Sequence, residues 1–181
     1  PRYVLIKAGA YGENGKQFNK FLPAASLVYS KSENSFKAEN FLFGPDVLTG
    51  EITVSPKELR EQPELLCSSG MIDLKLHSEW VVELGTKKSA SWTPGGAKTR
   101  FAGLIHIDGK EFTVIPRSSS GYIDKLWGSE LPNPFFHLAS SNLTSVISGK
   151  PLLKSCFAVE GEFEKKLSIL LNLEDEKICL N

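Results

Sequence analysis

The residues whose types and spacing can do chemistry are concentrated in one run, Gly-Tyr-Ile-Asp-Lys-Leu-Trp-Gly at positions 121–128, followed by Ser-Glu-Leu-Pro-Asn-Pro-Phe-Phe. It places an acid, Asp124, and a base, Lys125, between two large aromatics, Tyr122 and Trp127. If the run is a strand, alternation turns Tyr122, Asp124 and Leu126 to one face and Ile123, Lys125 and Trp127 to the other. A carboxyl grouped with an aromatic and an aliphatic neighbour loses hydration on burial, holds its proton and becomes a donor. The competing reading is an ordinary solvated Asp124/Lys125 pair with Tyr122 and Trp127 as core filler.

Other reactive side chains are scattered. His77, His106 and His137 have no metal-ligand spacing, and of the three only His137, just past the run, is assigned to the site. Asn142 is placed either to hydrogen-bond a ligand or to cap the turn before Thr144. Gly95 and Gly96 lack the strand-to-helix context of a phosphate loop. Trp80 and Trp92 read as packing residues. Cys67, Cys156 and Cys179 are an odd number without a CxxC pair, which argues against both a disulfide framework and a zinc site. They read as buried thiols in a reducing, cytoplasmic compartment.

The elements that must position this run are mostly short strands. Apolar or alternating segments fall at 2–8, 26–31, 40–44, 51–54, 71–83, 135–143, 152–160 and 166–173. Residues 9–23 and 87–99, rich in Gly, Asn, Ser and Lys, read as loops. Asp108-Gly109, flanked by strands at 101–107 and 110–115, is the signature of a type I′ hairpin. It leads directly into the reactive run. Ser55-Pro-Lys-Glu58 carries an N-cap, a proline at the first helical position and a capping box, and starts the one short helix.

The resulting expectation is an all-β chain, either an antiparallel barrel or a two-sheet sandwich, folded as a single domain over 1–181. The 181 residues carry 21 Lys and Arg against 21 Asp and Glu, and no basic stripe for a nucleic-acid backbone. No apolar run is long enough for a membrane-spanning helix, so a soluble protein is expected. The start at Pro1 and the strand-like end at 177–181 suggest a piece of a longer protein.

The order of features resembles the tocopherol cyclase-like family and, more distantly, the carotenoid hydratases of the hydroxyneurosporene synthase type. The carrying residues are Tyr3-Val-Leu-Ile-Lys, Leu27-Val-Tyr-Ser, Phe43-Gly-Pro, the hairpin Gly103-Leu-Ile-His-Ile-Asp-Gly-Lys-Glu-Phe and, most specifically, Tyr122-Ile-Asp-Lys-Leu-Trp-Gly128. The last is similar to the families' Tyr-x-Glu-Lys-Asn-Trp-Gly and Tyr-x-Asp-His-Asn-Trp-Gly, with Leu126 in place of Asn. The segment Phe135-Phe136-His137 stands where the cyclases are tryptophan-rich.

The resemblance implies a lipocalin-like fold whose cavity binds a small hydrophobic molecule, a prenylated quinol or another isoprenoid. It implies a cofactor-independent cyclisation started by proton transfer, with Asp124 and Lys125 as catalytic residues. Tyr122, Trp127, Phe136, His137 and Asn142 would line the ligand. Since such proteins have two lipocalin-like halves, it also implies that a second half completes the cavity. The alternative is a non-catalytic lipocalin-like carrier.

Overall fold

The computed structural model describes residues 2–84, 92–126, 134–162 and 164–180. The strands are β1 (Tyr3–Ala10), β2 (Lys16–Pro23), β3 (Leu27–Ser30), β4 (Ser35–Ala38), β5 (Phe41–Phe43), β6 (Val47–Val54), β7 (Gly70–Val82), β8 (Trp92–Ile107), β9 (Lys110–Val114), β10 (Gly121–Leu126), β11 (Phe135–Ser140), β12 (Cys156–Glu162), β13 (Lys166–Leu173) and β14 (Glu176–Leu180), with one short helix, α1 (Pro56–Glu61). The fold is all-β, and its strands pair antiparallel. None of the sheets closes into a barrel among the described residues, and the two-sheet sandwich is the expected architecture that fits.

The chain divides into two compact units. Unit 1 comprises Pro1–His77 and Ala102–Ile115, and unit 2 comprises Ser78–Phe101 and Pro116–Asn181. In unit 1, β1 pairs with β2, and β3 to β7 form a meander of neighbouring strands. Ile6, Phe18 and Leu22 pack on Phe41, Ile52, Val54 and Ile72 to make its core. Gly50 in β6 leaves room for this packing: a Cβ there would lie 2.2 Å from the Phe41 ring.

Two local expectations hold in detail. Ser55 accepts a hydrogen bond from the Glu58 amide while the Glu58 side chain accepts from the Ser55 amide, a complete capping box. The hairpin of β8 and β9 closes with Ile107 opposite Lys110, and Asp108 and Gly109 both have positive φ, 49° and 80°. This is the twist that a type I′ turn needs. Asp108 also accepts from the Met71 amide at 2.9 Å and from the Lys16 ammonium.

Two expected loops contain strands instead. Residues 16–23 belong to β2, held in register with β1 from Ala10 opposite Lys16 to Tyr3 opposite Pro23. Residues 92–99 belong to β8. Gly95 and Gly96 are there because Trp80 lies against them: a Cβ on Gly95 would be 2.5 Å from the indole ring, and one on Gly96 would be 2.9 Å from its Nε1. Glycine punctuates loops in sequence, but here its missing Cβ admits a tryptophan onto a strand.

Unit 2 has two layers. One contains the start of β8 paired with β10, with Gly121 opposite Thr99 and Leu126 opposite Trp92. The other is the ladder β11-β12-β13-β14. Val82, Leu84, Trp92 and Ala97 from the first layer meet Cys156, Ala158 and Leu170 from the second, with Tyr122, Leu126 and Ala139 at the margin. The thiols are not all buried as expected: Cys156 is, Cys67 is half-buried and Cys179 is exposed. Alternation buries one face of each strand and leaves the other to solvent, and Cys179 falls on an exposed position of the terminal strand.

Candidate functional site

At one margin of the unit 2 core the two layers bring five side chains with donors, acceptors or charge together. Asp124 and Tyr122 share a face of β10, two residues apart, as alternation requires. The Tyr122 hydroxyl donates to Asp124 Oδ2 at 3.2 Å. The buried Trp92 indole Nε1–H donates to the same oxygen at 2.9 Å. From the facing layer, His137 Nε2 stands 4.0 Å from Asp124 Oδ2.

His137 is directly opposite Glu160 in the pairing of β11 with β12, so the two side chains rise from the same face. Three rings surround the imidazole: Trp92 edge-on at 6.2 Å, Tyr122 tilted at 5.8 Å and Phe135 stacked at 6.4 Å. Cys156 and Ala158, on the same face of β12 as Glu160, lie in the core, which explains why this glutamate is only 8% exposed.

The environments of the ionisable groups differ. Burial pushes the Glu160 carboxyl above the usual carboxylate range; the facing His137 pulls it back down, and the Asp124 carboxylate adds to the rise. Burial, together with the Asp124 charge and the hydrogen bond to it, raises the Tyr122 phenol far above its ordinary value. Tyr122 is therefore a neutral hydroxyl that donates. Two carboxyls in unequal surroundings, with an imidazole between them and aromatic faces around it, form an arrangement that can hold a proton on one group and accept it on another.

The sequence-based site is brought together in part. Tyr122, Asp124 and His137 meet, but Asp124 is exposed to solvent rather than the desolvated acid that the sequence suggests, because its position at the margin of the core leaves one side of it open. Lys125 is half-buried at the next position of β10, paired across to Thr93, and alternation turns it away from the Asp124 face. Phe136 is half-buried and alternates away from His137 on β11. Asn142 is exposed and lines a different cleft, described below. Trp127 lies outside the described residues.

Two members of the cluster escaped the sequence reading. Trp92 acts through its N–H as well as its ring. Glu160 was legible as the first acid after the apolar run Cys-Phe-Ala-Val. Among the described residues, no group of three or more His, Cys, Asp or Glu is placed to hold a metal ion. No helix among them is long and apolar enough to cross a membrane. Comparison of the chain with protein-family models, with curated proteins and with solved structures found no match.

Proposed function

We propose that unit 2 binds a hydrophobic, isoprenoid-like ligand against the aromatic surface of Tyr122, Phe135 and His137, and that Glu160 protonates it in a cofactor-independent cyclisation of the tocopherol-cyclase type. On this reading the two-layer β unit supplies one wall of a lipocalin-like cavity. The observation that carries the proposal is the buried Glu160 carboxyl, raised above the carboxylate range beside the Asp124 carboxylate and His137.

The step balances without a cofactor. The Glu160 proton adds to one carbon of a trisubstituted alkene, breaking the π bond and leaving a tertiary cation. A phenol oxygen of the same substrate attacks that cation, forming the C–O bond as its O–H breaks. The released proton returns to Glu160 by way of His137. The face of Tyr122 stabilises the cation. Asp124 orients Trp92 and Tyr122 through the two hydrogen bonds it accepts, so the acid in this reading is Glu160 rather than Asp124.

A second reading, a non-catalytic carrier, is favoured by the same two hydrogen bonds. They satisfy a buried indole N–H and a half-buried phenol, which packing alone demands.

Titration of tryptophan fluorescence with a prenylated hydroquinone, together with chromatographic assay of ring closure, separates the two. The cyclase reading expects saturable quenching that survives in Glu160→Gln while turnover falls by roughly 100-fold or more. Equal turnover in wild type and Glu160→Gln would defeat the catalytic role. Saturable binding with no product from either protein establishes the carrier, and the absence of saturable binding removes both readings.

A further inference from the structure

A cleft of about 720 Å³ lies in unit 2, lined by the cations Lys98, Arg100 and Arg117, the single acid Glu79, and the apolar Leu152 and Leu153. It borders the Thr99–Gly121 end of the β8–β10 ladder, the opposite end from Trp92 and Leu126. The positive charge is held in place rather than incidental. Lys98 is buried, and its ammonium donates to the carbonyls of Ser141, Leu152 and Ser155 at 2.6, 3.1 and 3.5 Å. Neither the Arg100 nor the Arg117 guanidinium has a side-chain partner among the described residues.

The backbone that Lys98 grips is the base of a hairpin. Thr144 bridges to Pro151, Ser145 donates to the Lys150 carbonyl at 2.9 Å, and Leu152 donates to the Leu143 carbonyl at 2.9 Å. At its tip Val146 and Ile147 are 100% and 96% exposed, and Leu153 at its base is 63% exposed. The hairpin base lines the cationic cleft through Pro151 and Leu152 while its tip holds two branched aliphatics wholly in water, so cleft and hairpin together offer two chemistries. Phosphate chemistry suits the guanidiniums, which bind such oxyanions bidentately. A hydrocarbon phase suits the tip.

We propose that this face docks on an anionic phospholipid surface, with Val146 and Ile147 entering the acyl region while Arg100 and Arg117 hold a headgroup phosphate in the cleft. A free phosphate would leave the tip without a role, and an apolar protein groove would leave the guanidiniums without one. A lipid interface provides both within a few ångströms. Lys98, tied to Ser141 and Leu152, keeps the hairpin base and the phosphate seat at a fixed spacing, and Lys150 adds charge on the hairpin itself. The proposal does not depend on the Glu160 chemistry.

Co-sedimentation of the protein with phosphatidylcholine vesicles, with and without phosphatidylglycerol, tests it. Binding is expected to need phosphatidylglycerol, to weaken as salt is raised, and to fall by roughly 30-fold in Arg100→Gln/Arg117→Gln, the loss expected for two basic groups near an anionic surface. Val146→Ser/Ile147→Ser should weaken it by a similar factor, and because both side chains stand in solvent its melting temperature should match wild type. Equal binding to both vesicle types would overturn the proposal, as would wild-type binding by Val146→Ser/Ile147→Ser. Saturable binding of inorganic phosphate that Arg117→Gln abolishes, with no vesicle binding, would overturn the lipid source.

Discussion

Unit 1 closes its core over Phe18 and Ile52, both almost wholly buried, whereas the buried positions of unit 2 include Lys98, Thr99, Ser155, Glu160 and Asn172. Both units are made of short antiparallel strands, so secondary structure does not account for the contrast. It lies in what the strand faces carry. The buried polar residues of unit 1 are Asn19, which donates to the Leu65 carbonyl at 2.6 Å, and Ser35, which donates to Glu33 at 3.3 Å. In unit 2 a buried amine and a buried carboxyl lie toward opposite ends of the core, and hydroxyls and amides are buried with them: Ser155 donates to Glu174 at 3.0 Å, and Asn172 donates to the carbonyls of Lys154 and Glu174 at 2.7 and 2.8 Å. Burial of polar groups costs free energy unless each finds a partner, so such groups are kept where they do something that apolar ones would not.

The strongest test of the contrast is Phe18→Ala, expected to cost about 3–5 kcal/mol in a denaturant titration because it opens a cavity in an apolar core. A loss below about 1 kcal/mol would show that unit 1 is not held by apolar packing, against the usual scale of such truncations. Next comes Lys98→Met, which keeps the volume and removes the donor to three carbonyls. It should cost about 1–3 kcal/mol, the penalty for buried acceptors left without a partner. Stability unchanged or increased in Lys98→Met would mean that the buried amine of unit 2 adds nothing to the fold.

Smaller and pH-dependent is the effect of Glu160. Its carboxyl is raised in the folded state, so between the ordinary glutamate value of 4.5 and that raised value the native protein holds a proton that the unfolded chain has released. Wild-type stability therefore falls as pH rises through this window and levels off above it. Glu160→Gln does not titrate, so its melting temperature should gain on wild type across the window and run parallel above. A constant difference at every pH would place Glu160 in an environment no different from water. The smallest expected effect is Ser55→Ala in unit 1, about 1 kcal/mol from loss of one side of the capping box, read as a shift of the urea midpoint with unchanged slope.

Legibility in the sequence followed the range of the interaction. The Asp108-Gly109 hairpin, the Ser55 capping box and the pairing of faces along β7 each depend on residues within a few positions of one another. In β7, Ile72 and Leu76, four positions apart and so on one face of a strand, are both buried. The strand at 92–99 was hidden because its glycines read as a loop until Trp80, on another strand, is seen against them. The site shows the same limit. Tyr122 and Asp124, two apart on one strand, were grouped correctly, but Trp92, His137 and Glu160 arrive from three other strands.

The sequence by itself determined an all-β chain with one short helix, the hairpin that leads into the reactive run, and the face that Tyr122 shares with Asp124. A period of two and the local dihedral preferences of glycine, proline and capping serine are enough for that. Only the tertiary structure decided that the chain forms two compact units with open sheets, that Trp92 donates to Asp124, and that Glu160 is the buried carboxyl. Alternation states which side of a strand a residue faces; which layer lies against that side is set by packing between strands as far apart in sequence as the 68 positions from Trp92 to Glu160, and no local pattern encodes it.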